Sequence, residues 1–129
     1  MVKIIKDGLV VDGSVIRNEK DVLVQVGEEL YRGIEEDDRI EVYGYKVVDS
    51  IELSDWKAYI EEVEKGKYWI SILLKDGGTW DSNLIIDSWK KVDEKGIEVV
   101  VGDGKEYINK EWMIELAEEV DGIDLREYL

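Results

Sequence analysis

Residues 67–101 constrain most strongly what this chain can become. Tyr68-Trp69-Ile70-Ser71-Ile72-Leu73-Leu74 is the longest apolar run, and Lys75-Asp76-Gly77-Gly78 closes it. A second patch, Leu84-Ile85-Ile86, lies within residues 79–89. Asp93-Glu94-Lys95-Gly96 then turns the chain into Ile97-Glu98-Val99-Val100-Val101. Continuous apolar runs bounded by turn residues read as strands covered on both faces. The three runs predict a meander, and the remaining residues must supply its covers.

Upstream, further short strands are expected. Ile4, Ile5, Leu9, Val10 and Val11 surround Asp7-Gly8, and Asp12-Gly13 is a hairpin signal because Gly accepts the positive φ of such turns. Residues 14–17 read as the return strand and residues 18–20 as a turn. Val22, Val24 and Val26 alternate with Leu23 on the other face. Residues 29–34 read as a short strand. Residues 39–48 read as another, bent at Gly44.

The residues Ile4-Ile5-Lys6-Asp7-Gly8-Leu9-Val10-Val11-Asp12-Gly13-Ser14, with Asp21-Val22-Leu23-Val24, locally resemble the N-terminal β-sandwich segment of amidohydrolases such as hydantoinases. The likeness covers about the first quarter of the chain. The metal-binding His pair of that family is missing, so the resemblance transfers no residue function. Hairpins with Asp-Gly turns look alike in general.

Two helices are expected to pack on the sheet. Over residues 54–65, Ser54 is placed as N-cap and Asp55 in the first turn. Trp56, Tyr59, Ile60 and Val63 form the apolar stripe, Lys57, Glu61 and Lys65 the outer face, and Gly66 the stop. Over residues 110–121, Asn109 caps, Gly122 closes, and Trp112, Met113, Leu116, Ala117 and Val120 face inward. The similar placement of Trp56 with Gly66 and of Trp112 with Gly122 suggests a weak βββα repeat, residues 21–66 and 67–122. The expectation is one α+β domain over residues 1–129. Its curved, mostly antiparallel sheet or partly open barrel would hold about seven to nine short strands.

Composition narrows the chemistry. The chain has no His and no Cys, which excludes thiol catalysis, Ser-His-Asp triads and the commonest zinc ligands. Its first eight residues are too charged for a signal peptide, and no apolar run approaches the roughly 20 residues of a membrane span. An intracellular, cytoplasmic setting follows as the expectation. The formal net charge of −15 disfavours nucleic acid as a direct ligand and favours basic partners. Gln25 and Thr79 are single occurrences amid abundant Glu and Lys, a bias resembling thermophile proteins; a viral, plasmid or designed origin would also fit.

The candidate site residues follow from that charge. Glu111, Glu115, Glu118 and Glu119 fall on one helix face, with Ile114 among them as an apolar anchor. Glu35, Glu36, Asp37 and Asp38 form a second acidic run. Together they predict a binding or inhibitory protein that docks a basic partner, with mimicry of nucleic acid as its sharper form. The alternative is a small ligand-binding protein or hydrolase that uses carboxylates and the stacking surfaces of Trp80 and Trp89 in a cleft. Residues 76–83 lack the ordered ligands and closing Glu of a calcium loop. No catalytic motif, metal site or cofactor is expected.

Overall fold

The computed structural model describes residues 2–18 and 21–129; Glu19 and Lys20, expected in a turn, lie outside the described residues. Thirteen strands are found among those described, with one α-helix and one 3-10 turn, so the fold is predominantly β and the α+β expectation is corrected. The first six strands are β1 (Lys3–Lys6), β2 (Leu9–Val11), β3 (Ser14–Asn18), β4 (Asp21–Val26), β5 (Glu29–Glu36) and β6 (Arg39–Tyr43). They form one curled sheet in the order β2-β1-β6-β5-β4-β3, antiparallel except for the β1–β6 pair.

The curl has a simple cause. β2 and β3 are the two edges of this sheet, yet only Asp12 and Gly13 join them. In a flat six-stranded sheet the edges would lie on the order of 24 Å apart. Two linking residues reach less than about 11 Å, so the sheet rolls into a half-barrel. The hairpin turn is therefore at Asp7-Gly8, both with positive φ, and not at Asp12-Gly13. A Cβ on Gly13 would lie 2.5 Å from the Gln25 carbonyl oxygen and 3.2 Å from Ile4 Cδ1. Ile4, Val24 and Ile40 fill the interior, with Val11, Val15, Val22, Val26 and Val42 around them.

At Gly44 (φ 75°) the chain leaves the half-barrel and enters a second sheet. Its strands are β7 (Val47–Glu52), β8 (Lys57–Glu64), β9 (Lys67–Leu73) and β10 (Thr79–Ile86), in the order β10-β9-β8-β7. β11 (Ser88–Lys91), β12 (Ile97–Val101) and β13 (Gly104–Ile108) make a third sheet. The expected meander is thus divided between two sheets. Helix α1 (Lys110–Asp121) and a 3-10 turn (Leu125–Tyr128) complete the chain.

The helix expected over residues 54–65 is corrected to strand β8, paired on both sides by β7 and β9. Ala58, Tyr59, Ile60 and Glu61 are all buried there. Ala58 and Ile60 point into the main core and Tyr59 and Glu61 towards the half-barrel, so both faces of β8 are covered. With both faces buried the period-2 signal vanishes, and the residual spacing mimics a helix. The βββα correspondence loses its first helix for the same reason. Helix α1 matches its expected bounds: Asn109 accepts from the Trp112 N–H, and Gly122 closes it in the left-handed conformation.

The main core lies between the second and third sheets under α1 and includes Ile70, Ile72, Trp80, Ile86, Ile97, Val99, Ile108 and Met113. Among the described residues no helix is long and apolar enough to cross a membrane. Gly13→Ala is expected to destabilise the chain by about 1–3 kcal/mol, because the added methyl meets backbone rather than a movable side chain. Urea unfolding that leaves the midpoint of Gly13→Ala at the parent value would refute this account of barrel closure.

Candidate functional site

The acidic residues nominated by the sequence lie on separate parts of the fold. Glu35 and Glu36 end β5, and Asp37 (φ 48°) and Asp38 form the turn into β6. All four are exposed. Their charge is partly met locally: Glu35 pairs with Arg17, and Glu36 lies 3.2 Å from Arg39.

On α1 the situation differs. Glu111, Glu115, Glu118 and Glu119 are exposed, and none has an ion-pair partner among the described residues. No base occupies the last helical turn, and Arg126 beyond it donates to Asp124 at 2.9 Å. Glu111 sits in the first turn, where the helix dipole favours an acid. Glu118 and Glu119 sit near the opposite end, where the dipole disfavours one. Ile114, expected as the anchor, is half-buried and packs against the main core.

The tryptophans sort by what holds their indole N–H. Trp80 is 8% exposed and donates to Asp121 at 2.7 Å, tying β10 to the end of α1. Trp89 is half-buried, donates to Asp49 at 2.7 Å and meets Tyr68 edge-on. Trp56 donates to the Lys95 carbonyl at 2.9 Å, and the Trp69 N–H is enclosed. Trp112 alone is half-buried with an indole N–H that is neither bonded nor enclosed among the described residues. It packs against the main core, as its inward placement on α1 predicts, and its open N–H is the feature the sequence does not single out. Its place on the helix is legible: Glu115 and Glu119 follow at i+3 and i+7, so Trp112 borders the acidic face.

Beside Trp112 is a shallow pocket of about 180 Å³, lined by Leu84, Val101, Gly104, Lys105, Glu106 and Trp112. Lys105 leans towards Glu98, at 3.9 Å.

A second arrangement concerns the alternative reading, which asked for a carboxylate with a raised pKa. Arg32 of β5 and Glu61 of β8 are 2% and 1% exposed and pair at 2.9 Å. Arg32 Nη2 also reaches Asp81 at 3.5 Å, and the Ser71 hydroxyl donates to Asp81, with Glu61 Oε2 3.4 Å away. The Tyr45 N–H donates to Glu61 Oε1 at 3.0 Å. Tyr43 and Tyr59 lie against the guanidinium, 4.7 and 5.8 Å from ring centre to Cζ. Burial raises the Glu61 pKa; Arg32 opposes this and Asp81 reinforces it.

Above this cluster, Tyr43, Gly44 and Tyr45 line an open cleft of about 460 Å³ with Lys6, Tyr31 and Lys46. Burial, aided by Glu29, pushes the Tyr31 phenol up to about 12. Both Glu61 oxygens are already engaged and its side chain is sealed, so the cluster acts as a joint between sheets. Among the described residues no group of three or more carboxylates could hold a metal ion. No protein-family model, curated protein or solved structure matches this chain.

Two outcomes test these assignments. Glu61→Leu alone leaves the Arg32 charge poorly paired in the interior and is expected to cost about 3–5 kcal/mol, most of it recovered by adding Arg32→Met. The folded state holds the Glu61 proton more tightly than the unfolded chain does. Its contribution to stability is therefore full below the ordinary glutamate value and is lost as pH rises through the raised value. The difference between parent and double variant should follow that course in thermal unfolding across the acidic range. On α1, Glu118→Lys should raise stability by about 0.3–1 kcal/mol through the helix dipole; a loss measured by chemical denaturation would show that Glu118 serves the fold.

Proposed function

We propose that this protein is an intracellular binding or inhibitory protein that docks a basic partner through the exposed face of α1. The observation that carries the reading is the set Glu115, Glu118 and Glu119, without ion-pair partners among the described residues and held in fixed spacing on the helix that carries Trp112. A rigid helix with about 6 Å between residues four apart presents these charges as a ladder. Such a ladder complements a basic surface and steers its approach, with the net charge of −15 adding long-range attraction. Resemblance of this ladder to a phosphate backbone makes a nucleic-acid-binding protein the sharper choice of partner. The residues 35–38 turn is a lesser contributor, because two of its acids are paired.

A second reading, binding of a small ligand in the cleft near Tyr43 and Tyr45, is favoured by its volume of about 460 Å³, which falls in the range of ligand sites, roughly 300–1,000 Å³. Trp80 and Trp89 line neither this cleft nor the pocket beside Trp112. Ligand uptake there would be indifferent to charge on α1.

The test is capture of partners from the native host by the parent chain and by the Glu115→Lys, Glu118→Lys, Glu119→Lys triple variant, at low and at high salt. Basic proteins retained at low salt and released at high salt are expected for the parent, with affinity about tenfold or more weaker for the triple variant. Equal retention by both chains would refute the acidic-face reading.

A further inference from the structure

The pocket beside Trp112 narrows the chemistry of the partner. Resting on the docking reading above, we infer that this pocket receives a single apolar side chain projecting from a basic segment of the partner.

Its size points to one side chain. At about 180 Å³ it falls short of the cleft near Tyr43 and of the roughly 300 Å³ at which small-molecule sites begin. It is close to the roughly 150 Å³ that admits a benzene ring. Leu84, Val101 and Trp112 give it apolar walls, and all three are half-buried where the main core reaches the surface. Its position supplies the charge argument. Trp112 stands one turn from Glu115 and two from Glu119 on the same side of α1, so a side chain seated there holds its neighbours against unpaired carboxylates. Basic neighbours complement those carboxylates. Lys105, the base at the rim, shares Glu98 with Lys90, at 3.9 and 3.6 Å, and Glu106 stands beside it as a further acid. Trp is also the residue type most enriched where binding energy concentrates, ringed by contacts that exclude water.

Gly104 offers a clean way to obstruct the pocket. A Cβ built there meets only the Val101 carbonyl oxygen, at ordinary contact distance of 3.8 Å, and its φ lies outside the left-handed region. Gly104→Val therefore adds bulk at the rim while suiting a strand. Trp112 itself packs on the core, and its replacement would confuse binding with folding.

The experiment uses two synthetic lysine-rich peptides that differ at one central residue, leucine in one and serine in the other. Binding to the full chain is followed by NMR at the Trp112 indole N–H and the Leu84 and Val101 methyls. The leucine peptide should bind about tenfold or more tighter than the serine peptide. It should shift the Trp112 indole signal, and Gly104→Val should remove the difference. Equal affinity for both peptides, with Trp112 unmoved, overturns the pocket while leaving the docking reading intact. A leucine preference that survives Gly104→Val also overturns it. Failure of both peptides to bind at low salt overturns the docking reading and the pocket with it.

Discussion

The guanidinium of Arg32 is the interaction on which the architecture turns. The half-barrel and the sheet β7–β10 have separate apolar interiors, and the surface between them is polar. Arg32 crosses that surface from β5, sits between Tyr43 and Tyr59, and ends on Glu61 of β8 with Asp81 alongside. Burying such a pair yields little net stability, since desolvation offsets the attraction. Its consequence is geometric: a buried guanidinium has few acceptable placements, so it fixes where one sheet rests on the other. Lys57 repeats the device nearby, reaching Asp21 of β4 at 2.6 Å. Gly44 belongs to the same joint. Its φ of 75° allows the crossing between sheets, and a Cβ there would run into the Glu61 carboxylate.

Barrel closure and this joint together account for a predominantly β chain whose sheet β7–β10 is packed on both faces. The short link at Asp12-Gly13 holds the two free edges of the first sheet near one another. Short edge strands with limited unpaired backbone restrain edge-to-edge association, and a net charge of −15 opposes it further. The sheet β7–β10 is then covered on one side by the half-barrel and on the other by the third sheet and α1. That arrangement meets the demand residues 67–101 impose. The two Trp-bearing helices expected for the task are replaced by one helix and two other sheets.

How much of this was legible follows from where each signal resides. α1 was readable because its determinants are local: Asn109 and Gly122 are capping residues, and one face of the helix is solvated. β8 was not, because the burial of Glu61 depends on Arg32, which is distant in sequence. Glu61 read locally is a surface acid paired with Lys57 and Lys65; read in the fold it is the most deeply engaged carboxylate. The candidate site divides the same way. The glutamates of α1 were visible from spacing alone. Which tryptophan would remain available was not, because Asp121, Asp49 and the Lys95 carbonyl occupy the others.

The acids of α1 can now be separated by what the fold itself requires. Glu111 is explained by the helix N-terminus, where it favours the dipole. Asp121 is explained by Trp80, whose buried N–H would otherwise lack an acceptor. Glu115 and Glu119 have no such explanation, and Glu118 has only the nearby charge of Arg126, which is itself bonded to Asp124. Glu115 lies four residues from both Glu111 and Glu119, a like-charge spacing that mildly opposes the helix, and Glu118 and Glu119 stand against the dipole. These are small terms, each below about 1 kcal/mol, but they share one sign and one surface. Of these three acids, Glu115 and Glu119 share the side of α1 that carries Trp112, whose indole N–H has no partner among the described residues. The docking face proposed above, for a basic segment with one apolar side chain, would use both features.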